Sequence, residues 1–361
     1  MRALLTGIGG QTGSYLAELL LARGWDVHGM VRRHSYAPGQ TARIEHLRDR
    51  LYLHYGDMTD ALGLSAMLAD VQPHHVYNLA AQSHVAVSFD VPEYTGQVDA
   101  LGTLRLLECI RLARGQSEWA RDVRVYQAST SELFGSSPPP QSFGTPFCPQ
   151  SPYACAKLYA HEMAGVYRRA YGMHVVRGVL FNHESKRRGE TFVTRKVTMA
   201  VARIALGLQQ TQLMIGNLAA RRDWGHAADY AEAIHSAVCY PDAEDWIVAT
   251  GESHSVEDLV VEAFGVAGIR VVRTGSSFVV EDLDESVLDR LGLRLALELP
   301  ITVCTADDPR MVRPAEVDHL CGDASKARSL LGWAPRHTFK QLIAEMVESD
   351  LLRAAGRSLL S

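Results

Sequence analysis

The chain has 361 residues and a net charge of −5, with 47% hydrophobic and 21% charged residues. That balance belongs to an ordinary folded globular protein with enough chain for one large or two closely joined domains. It excludes a strongly basic nucleic-acid footprint and an acidic disordered tail, and the longest apolar runs are too short for a membrane span.

Strand and helix signals alternate from the first residues. Residues 2–6 (RALLT) form a short apolar run that ends in a glycine-rich turn, without the pattern of a leader. Residues 13–23 set Leu16, Leu19 and Leu20 at helical spacing, and Gly24 stops the helix. Residues 25–31, 51–55 and 75–79 read as the second, third and fourth strands, with a helix at 60–70. A long helix at 95–114 precedes a fifth strand at 123–128, and a helix at 152–171 precedes a sixth at 174–181. This alternation predicts an α/β fold, a doubly wound parallel sheet of the Rossmann type.

Beyond residue 182 the alternation loosens. A basic loop covers 183–190, a helix 192–207, then the segment LMIGN and a strand at 246–250 that returns to the sheet. The stretch 266–312 mixes strand-like runs with a charged, helix-like piece, DLDESVLDRLGLRL. Residues 323–354 give two helices joined by GWAPRHTF. The expected organisation is a dinucleotide-binding domain over 1–181, with a returning segment near 226–252. A smaller, discontinuous domain over 182–361 caps the carboxyl edge of the sheet. The six cysteines form no C-x-x-C pair and no histidine cluster has zinc spacing, so no metal is expected. Scattered thiols of this kind suit the reducing cytoplasm.

Gly7, Gly10 and Gly13 form a G-x-x-G-x-x-G turn between the first strand and the first helix. Glycine permits the tight turn and the close approach of backbone to a pyrophosphate, and the helix N-terminus offers free N–H groups to it. In this strand–turn–helix context the turn reads as a dinucleotide site. The second strand ends in Arg32-Arg33, with no acidic residue to hold a ribose 2′-hydroxyl. Arginine there suits a 2′-phosphate, which favours NADP over NAD, the plainer reading being a solvated basic turn. Asp57 and Met58, after the third strand, stand where an adenine edge would be read. Leu79-Ala80-Ala81-Gln82-Ser83, after the fourth, uses small residues beside a ribose or nicotinamide.

Tyr153 and Lys157 stand four apart at the start of a helix and so share a face. A lysine cation there favours the tyrosinate and lowers the Tyr pKa towards that of a general base. Thr130, in the run Ser129-Thr130-Ser131-Glu132 after the fifth strand, can hold the substrate oxygen whose proton Tyr153 removes. Glu132 is a second carboxylate that a simple alcohol dehydrogenase does not need. It either caps locally or abstracts a proton beside a newly formed ketone and returns it to a leaving hydroxyl, as a dehydratase requires.

With these motifs, and with LHYGDMTD, YQASTSELFG, LFNHES, RRGETFVTRK and GNLAARRDWGHAADY, the sequence resembles the GDP-mannose 4,6-dehydratases over most of its length. The resemblance implies a hydro-lyase that uses NADP to oxidise C4 of GDP-mannose, eliminates water across C5 and C6 and returns the hydride to C6. It implies Tyr153 as base, Lys157 lowering its pKa, Thr130 holding the hydroxyl and Glu132 moving the C5 proton. By the same match Gly7, Ile8, Gly9, Gly10, Gln11 and Thr12, Arg32, Arg33, His34 and Ser35, Asp57, Met58 and Leu79 to Ser83 would line the cofactor. Tyr94, Lys157, His183 and Arg188 would join them, and Ser83, Asn182, Lys196, Arg222, Arg310 and Glu316 would approach the GDP-sugar. The basic loop would reach a neighbouring subunit, so a homodimer or homotetramer is expected. No nucleic acid or membrane partner is expected.

Departures from the family pattern are Gly9 for Thr, Thr12 for Asp, Ala86 for Lys, Lys186 for Pro, Met311-Val312 for an aromatic pair, and most of 268–309. They leave open a related GDP-sugar such as a GDP-heptose. A nucleotide-sugar epimerase or reductase of the same fold, or a non-catalytic dinucleotide sensor, are the other readings.

Overall fold

The structure, a computed structural model, describes residues 1–33, 42–208, 213–297, 302–305 and 314–357. In the first half, β1 (Arg2–Thr6), α1 (Gln11–Ala22), β2 (Asp26–Val31), β3 (Leu51–Tyr55), α2 (Ala61–Val71) and β4 (His75–Asn78) follow the expected order. α3 (Val85–Asp90) and α4 (Pro92–Thr95) lead through a π turn at Gly96–Leu101 into α5 (Gly102–Arg114), so the single helix expected over 95–114 is broken. The Asp99 carboxylate in that turn accepts the Gln82 amide N–H at 2.7 Å. π turns widen a helix locally and recur at functional sites.

β5 (Arg124–Thr130), α6 (Pro152–Tyr171) and β6 (His174–Leu180) complete six parallel strands. β5 runs two residues further than its apolar pattern, so Thr130 ends the strand and Ser131–Leu133 form a 3-10 turn. After β7 (Asn182–Glu184), α7 (Val193–Ala205), β8 (Leu213–Met214), β9 (Arg221–Arg222), β10 (Trp224–His226) and α8 (Ala227–Cys239), β11 (Asp245–Val248) joins the same sheet. The strand order is β11-β6-β5-β4-β1-β2-β3, all parallel. Crossover helices must then cover both faces. α1 and α8 pack on one face, burying Leu16, Leu20, Tyr230 and Ile234. α2, α5 and α6 pack on the other, burying Leu68, Leu107, Ile110 and Tyr167.

The described part of the stretch that reads least clearly in sequence holds three β-strands. β12 (His254–Ser255) and α9 (Val256–Val266) precede β13 (Ile269–Thr274) and β14 (Ser277–Leu283), which pair antiparallel; β15 (Thr302–Thr305) adds to β14, and β8 to β15. The helix-like piece DLDESVLDRLGLRL ends β14 and then makes a 3-10 helix at Glu285–Leu291. Asp284 caps it by accepting the Ser286 amide at 3.1 Å, and Gly292 in the left-handed region stops it. α10 (Ser325–Leu331) and α11 (Phe339–Ala354) close the chain.

α7, α9, α11 and this small sheet enclose a third core that buries Val201, Leu259, Phe264, Phe278 and Met346. An ion pair of Arg195 and Asp350, 2.6 Å apart and almost fully buried, ties α7 to α11 inside it. The main cleft lies between this core and the carboxyl edge of the large sheet.

Candidate active site

Gly7 has φ +70°, and a Cβ there would lie 2.8 Å from the Ala80 amide nitrogen. A Cβ at Gly13 would lie 2.4 Å from the Gly7 carbonyl oxygen. Only glycine fits either place, and the gap above the turn leads to the N-terminus of α1. Gly10 caps that helix without a side-chain bond, so its first N–H groups remain for an anion.

The neighbouring residues are held by the segment after β6. Gln11 donates from Nε2 to the His183 carbonyl at 2.8 Å and accepts from the Ser185 hydroxyl at 2.7 Å. His183 donates from Nδ1 to the Phe181 carbonyl at 2.9 Å, which leaves Nε2 to accept the Thr12 hydroxyl at 2.7 Å. Burial holds the His183 imidazole at about 4, so it is neutral at pH 7. Thr12, the uncommon residue in this turn, therefore has a specific partner.

A cavity of about 590 Å³ runs from this turn along the carboxyl edge. Gly7, Gly10, Gln11, Thr12 and Gly13 form one end, with Leu79, Ala81 and Ser83 beside them. Thr130, Glu132, Tyr153 and Lys157 line the same cavity. His183 and Arg188 line the wall, and Asn182, Lys196, Arg222 and Glu316 lie in the same cavity. Arg188 stacks 3.6 Å over the Phe192 ring and pairs with Glu184 at 3.0 Å. The Asn182 side-chain oxygen is buried without a hydrogen-bond partner among the described residues, as a group awaiting a ligand would be.

Other residues lie off the cavity wall. The Gly9 carbonyl accepts from Arg43 at 3.3 Å, and the Ala80 amide donates to the Thr6 hydroxyl at 3.1 Å. Gln82 is tied to Asp99, His84 and Thr95. Arg32 donates to the Tyr94 hydroxyl, and Arg33 lies 6.0 Å from the Tyr55 ring, both arginines exposed at the end of β2. Asp57 accepts from the Thr59 amide and hydroxyl at 2.9 and 2.8 Å. Met58 is 2% exposed, its side chain packed in the core under α5. His34, Ser35 and Arg310 lie outside the described residues.

At the centre, Ser151 caps α6 by accepting the Ala154 amide at 3.1 Å, which starts the helix that presents Tyr153 and Lys157. The Thr130 hydroxyl accepts the Glu132 amide at 3.2 Å and bonds the Tyr153 phenol, and Glu132 is itself buried. The expected lowering of Tyr153 by Lys157 does not come from the chain. Burial pushes the phenol well up, Asp99 and Glu132 add to that, and the Thr130 hydrogen bond and Arg188 oppose it. Lys157 is pulled down by burial, and the Asp99 carboxylate resists that.

Asp99 is the residue sequence reasoning missed. It is 1% exposed, one oxygen holds the Gln82 amide, and the other makes no hydrogen bond among the described residues. Burial raises its carboxyl to about 6, against the pull of Lys157. The signal for it was an acid within the otherwise apolar helical run that starts at Val98.

The family model for GDP-mannose 4,6 dehydratase matches residues 4–346. The chain belongs to the GDP-mannose 4,6-dehydratase family. A GDP-mannose 4,6-dehydratase of Yersinia enterocolitica is 46% identical over 99% of this chain and 96% of its own. Another, of Sinorhizobium fredii, is 48% identical over 98% of this chain and 97% of its own. In shape the chain resembles a UDP-glucose 4-epimerase of Thermus thermophilus solved with NAD, at TM-score 0.75 and 24% identity over 98% and 100% of the two chains. That second likeness concerns the fold alone. Both named sequence relatives are dehydratases, so the epimerase, heptose and sensor readings are not favoured. Among the described residues no helix is long and apolar enough to cross a membrane.

Proposed function

We propose that this dehydratase-family chain converts GDP-mannose to GDP-4-dehydro-6-deoxymannose, with NADP reduced and reoxidised within each turnover. The observation that carries the reading is the meeting of Thr130, Glu132, Tyr153 and Lys157 in one cavity that continues to the glycine turn. A cradle that a Cβ at Gly7 would fill, and an uncapped helix N-terminus, fit a dinucleotide pyrophosphate.

Bound there, the cofactor would supply a hydride acceptor for C4, a hydride donor for C6, and a cationic nicotinamide. That positive charge would oppose the burial that pushes the Tyr153 phenol up. Thr130 orients the C4 hydroxyl, Tyr153 takes its proton, and Lys157 supports the phenolate. The C4 ketone acidifies the C5 proton, which Glu132 removes and delivers to the departing C6 hydroxyl. Lys196, Arg188 and Arg222 offer positive charge to the diphosphate.

Arg32 and Arg33 support NADP over NAD. Arg33→Ala is expected to weaken NADP binding by about 10–100-fold, the worth of one charge-assisted hydrogen bond of ~1.5–3 kcal/mol, and to leave NAD binding unchanged. Equal losses for both cofactors in a binding titration would remove Arg33 from 2′-phosphate recognition.

The unpaired cysteines support a reducing, cytoplasmic setting. Leu112 on α5 and Tyr159, Val166 and Tyr171 on α6, all exposed, support a homodimer or homotetramer. The activity is tested by mass spectrometry of GDP-mannose incubated with the protein and NADP. The expected product has lost one water with no net NADPH; an epimer of unchanged mass would overturn the reading.

A further inference from the structure

Away from the cleft, at the amino edge of the large sheet, a second group of side chains converges. His75 opens β4, while His235 and Cys239 stand four apart on α8 and share one helical face. A nitrogen from each imidazole and the Cys239 sulfur all lie within 4.8 Å of one another. Cys239 Sγ lies beside the His235 ring, 3.5 Å from Nε2 and 3.9 Å from Nδ1, so the exposed Cys239 side chain must rotate to share an ion with Nε2. A tetrahedral zinc ion, with Zn–N of about 2.0–2.1 Å and Zn–S of about 2.3 Å, spaces such a pair by about 3.6 Å.

The surroundings resemble those of a built site. The Tyr77 hydroxyl lies 2.8 Å from His235 Nδ1 and 3.2 Å from His75 Nδ1, which engages both inner nitrogens and leaves each Nε2 for another partner. The Trp25 ring walls one side, 4.7 Å from the His75 ring and 5.6 Å from the His235 ring. Arg124 donates to the carbonyls of Val238 and Tyr240 at 3.0 and 3.1 Å, which pins the backbone on both sides of Cys239. Both imidazoles are almost fully buried, whereas Cys239 is exposed and opens the group to solvent.

We propose that His75, His235 and Cys239 bind a divalent cation of the zinc class, with water as the fourth ligand. On binding, the thiol S–H bond breaks, its proton passes to solvent, and the sulfur electron pair forms the bond to the metal. The ion would join the start of β4 to the end of α8. Chain spacing concealed the group, because His75 is far from the other two in sequence. The competing arrangement is a closed Tyr–His hydrogen-bond network that needs no ion.

The test uses the full-length protein treated with a chelator and titrated with Co²⁺, then with Zn²⁺. One Co²⁺ per chain should bind, with a thiolate-to-cobalt charge-transfer band and tetrahedral d–d bands that Zn²⁺ abolishes. Zn²⁺ should raise the melting temperature. Cys239→Ser should remove the charge-transfer band and weaken binding at least tenfold, and Tyr77→Phe should weaken it about tenfold through loss of the supporting hydroxyl. Cys155→Ser, at another exposed thiol, should leave the band intact. Absence of the band in the wild type, or a band that survives Cys239→Ser, overturns the site. So does a Zn²⁺-induced thermal shift of equal size in wild type and Cys239→Ser.

Discussion

Replacing Glu132 with Gln is expected to slow water loss from GDP-mannose by about 10²–10⁴-fold, the usual worth of a positioned general acid–base. The amide keeps the size of the side chain, and the backbone contact between the Glu132 amide and Thr130 is untouched. Cofactor binding and oxidation at C4 should therefore persist. Two measurements separate the steps. The variant should accumulate reduced cofactor on mixing with GDP-mannose, because the hydride has no C6 acceptor to return to. It should also fail to exchange the C5 proton with D₂O. Unchanged dehydration in Glu132→Gln would return Glu132 to a local capping role.

The second large effect concerns Asp99 and pH. Burial raises the Asp99 carboxyl to about 6, so it binds a proton below that pH and is an anion above it. That anion opposes the burial that pulls the Lys157 amine down. Activity is therefore expected to fall as pH drops through about 6. Asp99→Asn should lose about 10–100-fold at pH 8, the cost of an unpartnered buried charge, and its kcat/KM profile should lack the limb near pH 6. Stability has the opposite sign. A carboxyl whose folded pKa is raised binds its proton better in the folded state, so its contribution is full at pH values under the ordinary carboxylate range. It is lost as pH rises to about 6. Asp99→Asn should thus show a flatter loss of stability over that window in chemical unfolding. An unchanged acid limb in the variant would exclude Asp99 as the partner that positions Lys157.

The tyrosine illustrates a limit of motif reasoning. The Tyr153–Lys157 spacing is visible in any helix, and it suggests a lowered phenol. The folded environment does the reverse, because a motif carries no information about desolvation. The same holds for Met58, whose position after β3 matches an adenine reader but whose side chain is buried in the core.

Read alone, the sequence determined the parallel sheet, most of its helices and the glycine turn, and it singled out Thr130, Glu132, Tyr153 and Lys157, which share one cavity. Each of these is written in local pattern: period, stop signals and short spacing. Tertiary structure decided the rest. It converted part of the least legible stretch into a small mixed sheet, in which β13 and β14 meet in a local hairpin but β15 and β8 find their partners only across the chain. It broke the expected helix at 95–114 with a π turn and placed Asp99 near Lys157. It tied Thr12 to His183, and it gathered His75, His235 and Cys239. These are contacts between residues far apart in the chain, and no local period records them. Burial, which raises the Asp99 carboxyl and the Tyr153 phenol and pulls the Lys157 amine down, is a property of the packed whole.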